Sequence, residues 1–101
     1  MRHEGVFTVG GLLGTPEAWE GVLVGEPVGR RLVYRGVVEW GVGRASVSEL
    51  LDRCPVAKAP PFHDPPRARR VTWLEPRVSI AVTYNELMEG RLRDPVFRGI
   101  A

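Results

Sequence analysis

The chain has 101 residues, of which 44% are apolar, and its formal net charge is only +2. This length fits a single small domain, and the apolar fraction is sufficient for a packed core, which excludes bulk disorder. No apolar run approaches the roughly 20 residues of a membrane span, and the first residues lack the apolar stretch of a signal peptide. The single cysteine, Cys54, cannot form an internal disulfide, which fits a reducing cytoplasm.

Positive charge is carried almost entirely by arginine and is unevenly placed. Thirteen arginines stand against one lysine, and planar guanidinium groups are suited to phosphate. Residues 1–66 have a charge balance of −1, whereas residues 67–101 carry seven arginines against four acids, a balance of +3. A basic final third on a near-neutral body favours a surface that faces a polyanion, with a solvated charged face as the alternative.

Three strands are predicted in the first half of the chain. The first leads through Val6 into Gly10-Gly11, a pair that lets the backbone bend or bulge. The second covers residues 19–24. The third covers residues 31–40 and alternates between an apolar and a charged face. Its apolar face carries Leu32, Tyr34, Val38 and Trp40, and its other face carries Arg31, Arg35 and Glu39.

A helix is predicted next. The segment Ser46-Val47-Ser48-Glu49 matches a capping box, with Ser46 as the N-cap residue and the Glu49 side chain bonding back to its amide. Pro55 ends the helix. Four apolar residues then fall on one helical face: Val47, Leu50, Leu51 and Cys54. Cys54 is therefore interpreted as a core residue and not as a nucleophile.

The remaining elements complete a recognisable order. Residues 55–70 hold five of the nine prolines and predict an extended connection. Residues 78–84 form a fourth strand, residues 85–90 a turn, and residues 91–97 a fifth strand. Three strands, a helix and two strands is the order of a five-stranded OB-fold barrel, so residues 1–101 are predicted to form one OB-fold domain, all-β with one helix. An SH3-like barrel is the main competitor, and the capped helix argues against it.

Catalytic and metal-binding patterns are not found in the sequence. His3 and His63, with one cysteine, are too few and too far apart for a structural zinc site. His63-Asp64 lies in the proline-rich connection without a partnered nucleophile. The glycines form no phosphate-binding motif between a strand and a helix. We therefore predict no catalytic residue and no metal ligand.

The arginines instead predict contacts with DNA phosphates. Two groups of arginines, and two basic residues that flank the helix, are the predicted DNA-binding residues: Arg67, Arg69 and Arg70; Arg91, Arg93 and Arg98; Arg44 and Lys58. Alternation places Arg91 and Arg93 on one face of the last strand. Arg31 and Arg35 rank lower, because pairing with Glu39 or neighbouring acids is the competing interpretation.

The aromatic residues are interpreted mainly as packing residues. Trp73 at the head of a strand is able to offer a stacking surface for bases, but packing in the core or at the end of the barrel is favoured. Trp19 is left open. Four further aromatic residues sit on apolar faces and are predicted to be core: Tyr34, Trp40, Tyr84 and Phe97.

Three C-terminal segments carry a family resemblance. They are Trp73-Leu74-Glu75-Pro76, the hairpin sequence Gly90-Arg91-Leu92-Arg93, and the tail Pro95-Val96-Phe97-Arg98-Gly99. Upstream, residues 7–11, 32–38 and 60–66 follow the same order of elements. Over roughly residues 5 to 100, the chain resembles the C-terminal OB-fold domain of ATP-dependent DNA ligases, closest to the bacterial end-joining type.

This resemblance implies a domain that clamps nicked or broken duplex DNA for repair ligation. It implies a nucleotidyltransferase partner domain, in cis or in trans, that holds ATP, a divalent metal and the nucleophilic lysine. Lys58 is followed by Ala59-Pro60-Pro61 and so does not match the Lys-x-Asp-Gly motif that carries the nucleophilic lysine. In the phosphate-orienting Leu-Arg-x-Asp-Lys motif, Ala101 stands at the position of the arginine. We therefore expect no cofactor in this chain, no ligation by this chain alone, and a cytoplasmic, nucleoid-associated location.

Departures from the family pattern fall in the hairpin. Leu87 replaces the usual aromatic residue, and Asp94 stands where the family commonly has histidine. An outward-pointing acid there would weaken phosphate binding. The alternative function is a free-standing OB-fold module that binds another protein, and a general single-strand binder is a third candidate that would need exposed Trp73 and Trp19.

Overall fold

A computed structural model describes residues 2–68 and 70–101. These residues form strands with one helix, as predicted. The elements are β1 (His3–Gly14), β2 (Trp19–Val28), β3 (Arg31–Val38), α1 (Arg44–Arg53), β4 (Val71–Trp73), β5 (Ser79–Tyr84), β6 (Glu86–Met88), β7 (Arg91–Arg93) and β8 (Val96–Ile100). The prediction did not include the short strand β4, which follows the proline-rich connection, or the separate β6–β7 hairpin.

The main sheet has the order β3-β2-β1-β5-β8, with antiparallel neighbours throughout, and β4 pairs with the second half of β1. Trp40 forms a parallel bridge with Val96, and the Phe97 amide donates to the Trp40 carbonyl at 2.8 Å, so the segment that follows β3 meets β8. With α1 between β3 and the last strands, this arrangement agrees with the predicted OB-fold barrel.

Strand β1 pairs with two different strands on one side because it bends in its middle. Its first half pairs with β5, where Thr8 lies opposite Ser79, and its second half pairs with β4, where Gly11 lies opposite Trp73. The register with β2 shifts between Val9 and Gly11. The predicted bend at Gly10-Gly11 is confirmed, since an extra residue on one strand increases local twist and bends it.

The barrel interior is filled by alternate residues of the strands and by the inner face of α1. Val22 and Val24 of β2 point inward, and the side chains of Val47, Leu50 and Cys54 close one end of the core. The prediction that Cys54 is a core residue is confirmed. Burial raises the pKa of the Cys54 thiol, and nearby arginine charges and backbone hydrogen bonds offset this only in part.

A second apolar cluster lies on the outer face of the β1–β2–β3 sheet. Its buried members are Leu23, Tyr34 and Phe62. Phe62 comes from the proline-rich connection and lies directly on the backbone of Gly10 and Gly25; a Cβ atom on Gly25 would be 2.8 Å from the Phe62 ring. The two glycines are needed for this close approach, and for Gly10 the sequence had predicted only a bend or bulge.

Helix α1 begins earlier than the capping box predicts. Gly43 is the N-cap residue and makes no side-chain cap bond, and the Val47 amide donates to the Gly43 carbonyl at 3.1 Å. Ser46 therefore lies inside the first turn. The Glu49 carboxylate accepts from Arg53 at 3.1 Å, an (i, i+4) pair along the helix. The capping-box prediction is wrong because the extended Gly43 already starts the helix.

The predicted apolar face of β3 is also wrong in part. Val24 pairs with Gly36 while Gly25 pairs with Tyr34, so Arg35 is an extra residue in a bulge. Beyond this bulge the alternation changes phase: Tyr34 packs in the outer cluster, while Val38 packs in the barrel. Trp40 lies after the end of β3 and is 73% exposed, so the prediction that it is a core residue is wrong.

Replacing Phe62 by alanine should destabilise the domain by about 3–5 kcal/mol, because it empties the outer cluster above the two glycines. Urea unfolding followed by tryptophan fluorescence measures the change in unfolding free energy. Val6→Ala is the matched control, since Val6 is mostly exposed and its truncation should change stability by less than about 0.5 kcal/mol. A loss of less than about 1 kcal/mol for Phe62→Ala would contradict the packing described.

The raised pKa of the Cys54 thiol should make stability fall at alkaline pH. The folded chain resists ionisation, so this contribution is complete below the ordinary thiol pKa, and it is lost as pH rises from there through the higher pKa of the folded chain. Above the ordinary thiol pKa, we expect the unfolding free energy of the parent chain to fall more steeply with rising pH than that of Cys54→Ala. Identical pH dependence of the two chains would refute this.

Candidate nucleic-acid interface

The β6–β7 hairpin presents two of the predicted arginines side by side. Its turn residues Glu89 and Gly90 have positive φ values of 51° and 80°, as the two central residues of a tight hairpin turn do. Leu92 is buried in the barrel core, while Arg91 and Arg93 on either side of it are exposed. The prediction that these two arginines share a face is confirmed.

Arg91 fixes the hairpin against β3. Its guanidinium carbon lies 4.7 Å from the centre of the Tyr34 ring, and its NH1 group donates to the Tyr34 carbonyl at 3.0 Å. A second guanidinium nitrogen is 4.0 Å from the Asp64 carboxylate. Burial raises the pKa of the Tyr34 hydroxyl, and the Arg91 charge lowers it in part. Tyr34 is thus a core residue, as predicted, that also supports an arginine at the surface.

Arg35 forms a second tie between β3 and the hairpin. Its Nε donates to the Glu26 carboxylate at 2.7 Å, with the Arg35 side chain only 17% exposed, and its NH1 donates to the Gly90 carbonyl at 3.4 Å. The expectation that this arginine pairs with a neighbouring acid is confirmed, and the acid is Glu26. Arg35 therefore has its hydrogen bonds largely satisfied within the protein.

The proline-rich connection runs beside β3 and adds charged groups to the same surface. The His63 amide donates to the Leu32 carbonyl at 2.8 Å, and Arg31 NH1 lies 3.0 Å from His63 Nε2. The Tyr34 amide donates to Asp64 Oδ1 at 3.1 Å. We call the surface formed by β3, residues 62–64 of the connection and the hairpin the hairpin face; its charged residues include Arg31, Arg35, Asp64, Glu86, Arg91 and Arg93.

The other predicted basic residues lie at separate places in the chain. Arg67 and Arg70 are exposed on the connection, and the Arg70 carbonyl accepts from the Gly14 amide at 2.9 Å. Arg69 lies outside the described residues. Arg98 is exposed on β8 and bonds to Thr83, Arg44 lines a cleft with the β1–β2 turn, and Lys58 is exposed beyond α1. Within the described part of the chain, no recorded contact links these last three to the hairpin face.

Acids accompany the arginines of the hairpin face. Arg93 pairs with Glu86 at 3.3 Å and its NH1 lies 2.9 Å from the Met88 sulfur. Sequence reasoning missed Asp64 as a neighbour of Arg91, because these two residues come together only when Phe62 anchors the connection against β3. Asp94, predicted to weaken binding if it points outward, is exposed and accepts from the Asn85 amide at 2.8 Å.

The aromatic residues that a single-strand binder would need are packed. Trp73 is half-buried, with its ring 6.0 Å from that of Phe62, and Trp19 is half-buried against the barrel core. The favoured packing role of Trp73 is confirmed. Tyr84 and Phe97 are half-buried against the core, as predicted.

No group of three or more histidine, cysteine or acidic residues in the described ranges is placed to hold a metal ion. Among the residues described, no helix has the length and apolar character needed to cross a membrane.

Comparison with protein families decides where the chain belongs. The family model for the C-terminal region of ATP-dependent DNA ligases matches residues 15–101. The chain belongs to this family. The resemblance stated from the three C-terminal segments is confirmed.

Two solved structures have the same fold. The ligase domain of M. tuberculosis LigD superposes with a TM-score of 0.86 and 23% identity, covering 99% of this chain and 35% of that one. Mycobacterial DNA ligase D complexed with ATP and MES gives a TM-score of 0.82 and 25% identity, covering 98% of this chain and 34% of that one. The chain thus spans about a third of the length of these structures. The comparison with curated proteins gave no match.

Truncating Arg91 should destabilise the domain more than truncating Arg93 on the same strand. Arg91→Ala removes a cation–π contact and a hydrogen bond to Tyr34, which together contribute about 1 kcal/mol. Arg93→Ala removes an exposed ion pair and a contact with the exposed Met88 sulfur, and should change stability by less than about 0.5 kcal/mol. Urea unfolding of both variants checks this. Equal effects would mean that Arg91 does not hold the hairpin.

Proposed function

We propose that this ligase-family OB-fold domain binds nicked or broken duplex DNA and clamps it for repair ligation. One observation carries the proposal: the β6–β7 hairpin packs on β3, so that Arg91 and Arg93 lie on the same surface as Arg31 and Arg35. Arg67 and Arg70, and Arg69 by its place in the sequence, extend the basic character along the connection. Guanidinium groups arranged over a continuous surface suit contact with several phosphates of one duplex.

The acids of the hairpin face limit the strength of this binding. Asp64 lies beside Arg91, and Glu86 pairs with Arg93. A phosphate that approaches either arginine competes with a carboxylate already in place. We therefore propose weak binding by the isolated domain, with a strong dependence on salt because phosphate contacts release counterions.

Catalysis is assigned to a nucleotidyltransferase domain, supplied in cis or in trans. The family match concerns a C-terminal region, and the two similar structures are almost three times as long as this chain. One of these two structures is mycobacterial DNA ligase D complexed with ATP and MES. We propose that ATP, the divalent metal and the adenylated lysine belong to that second domain, and that the complex acts in the cytoplasm at the nucleoid.

The alternative is an OB-fold module that binds another protein and not DNA. The pairing of Arg35 with Glu26, and of Arg93 with Glu86, favours it, since paired arginines are less available to phosphate. The two functions differ in whether the isolated domain binds duplex DNA.

Fluorescence anisotropy with nicked duplex, intact duplex and single-stranded DNA at two or more salt concentrations tests the proposal. We expect duplex to be favoured, and the logarithm of the binding constant to fall with the logarithm of salt concentration with a slope of about −2 to −4, since each neutralised phosphate contributes about 0.9. No binding by the folded domain would favour the protein-interaction module. Salt-independent binding would contradict the electrostatic account.

Reversing Arg91 and Arg93 together to glutamate should weaken duplex binding by about ten-fold or more and reduce the salt slope. The control is Arg77→Glu, because Arg77 is an exposed arginine paired with Glu75 outside the hairpin face. This control should weaken binding only slightly. A similar loss in both variants would mean that net charge, and not the hairpin face, governs binding.

Neutralising Asp64 should have the opposite effect. Asp64→Asn keeps an oxygen that accepts from the Tyr34 amide while removing the charge beside Arg91. We expect duplex binding to be about two- to five-fold tighter, because the substitution removes a negative charge that repels a DNA phosphate at Arg91. Glu75→Gln changes net charge equally and lies elsewhere. Equal tightening by the two variants, or none by Asp64→Asn, would contradict a phosphate site at Arg91.

A further inference from the structure

Trp40 is the most exposed large apolar side chain in the described part of the chain, with 73% of its surface accessible. Its backbone is firmly held: the Trp40 carbonyl accepts from the Phe97 amide at 2.8 Å, and Trp40 forms the parallel bridge with Val96. Gly41, with φ of +82°, then turns the chain, and a Cβ atom there would lie 2.6 Å from the Phe97 carbonyl. A large indole is thus exposed to solvent on rigid backbone.

The indole lines a shallow cleft that carries two acids. The cleft holds about 200 Å³ and is lined by Val37, Glu39, Trp40, Asp94 and Pro95. Within the residues that the structure describes, neither Glu39 nor Asp94 makes an ion pair. The Asp94 carboxylate accepts from the Asn85 side-chain amide at 2.8 Å.

We infer that this cleft binds an arginine side chain of a partner protein. A guanidinium stacks flat on an indole face, where the ring quadrupole attracts it, and tryptophan is the strongest of the aromatic partners. The two carboxylates supply the complementary charge. A DNA phosphate is disfavoured at the same place, because it would approach two carboxylates that make no ion pair in the described part of the chain. Rigid aromatic residues exposed beside a pocket are also typical of the energetic centres of protein interfaces.

One cation of the chain already lies near this cleft. Arg2 donates to the Asp94 carbonyl oxygen at 2.8 Å and to Asn85 Oδ1 at 2.9 Å. It bonds to the backbone of Asp94 and makes no ion pair with the Asp94 carboxylate. The Arg2 charge partly offsets the acid, and Arg2→Gln should therefore strengthen binding of an arginine peptide.

The inference is independent of DNA binding by the hairpin face. The site can bind a basic protein segment whether or not the domain binds duplex, and Trp40→Ala should leave any duplex affinity unchanged. Measuring DNA binding and peptide binding on the same variants therefore shows separately whether the hairpin face binds duplex and whether the cleft binds an arginine.

Titration of ¹⁵N-labelled protein with the peptide acetyl-Gly-Arg-Gly-amide tests the site. The indole N–H signal of Trp40 is assigned by its loss in Trp40→Phe. We expect this signal to shift and saturate, with the other two indole signals unmoved. The citrulline peptide, which has the same shape without the charge, should leave it unchanged. Glu39→Gln with Asp94→Asn should weaken binding by about three-fold or more, because each removes an attractive charge.

Glu20→Gln is the matched control, as Glu20 is an exposed acid on β2 outside the cleft. Unchanged peptide binding by this variant supports the site. Three results would overturn it: no shift of the Trp40 signal, equal shifts with the arginine and citrulline peptides, or a Trp40 signal that responds to nicked duplex and not to the arginine peptide. The last result would make the cleft a DNA surface.

Discussion

The contact of Phe62 with the bare backbone of Gly10 and Gly25 is the constraint on which the rest of the surface depends. In its described residues, the proline-rich connection has no helix or strand of its own before β4, so a buried anchor fixes its course. Phe62 provides it, and Tyr34 and Trp73 pack against the Phe62 ring at 5.2 and 6.0 Å. Because the next two residues follow directly, the anchor also places His63 and Asp64 beside β3.

The bulge at Arg35 then determines which groups share that surface. It turns Tyr34 outward, where its ring supports Arg91, while Arg35 reaches Glu26 and the hairpin turn. The hairpin is thereby held by two arginines: Arg35 on β3 bonds to the hairpin turn, and Arg91 on the hairpin bonds to β3. Such ties explain how a short two-stranded hairpin, which is marginal by itself, keeps a defined position beside the barrel. They also leave a surface in which positive charges alternate with acids, and this mixture sets the expected weak affinity.

Much of the fold was predictable from sequence, and the reasons are local. Alternation and glycine or proline breaks located the main strands, and the apolar spacing around Leu50 gave the helix and its buried face. The errors arose where the backbone interrupts the regular alternation of a strand or begins or ends an element at an unexpected residue. The bulge at Arg35 reversed the faces of β3, the extended Gly43 replaced the predicted cap at Ser46, and Trp40 lay beyond the strand end. The partners of the arginines were not predictable, since Asp64 meets Arg91 only through tertiary packing.

The central claim is that duplex DNA lies on the hairpin face. The most direct measurement is chemical-shift mapping of backbone amides on addition of a short nicked duplex at low salt. The account predicts that the perturbed amides cluster in residues 31–36, 63–70 and 90–93, with α1 unaffected. Perturbations confined to α1 and the Trp40 cleft, or none at duplex concentrations that saturate a weak site, would contradict it.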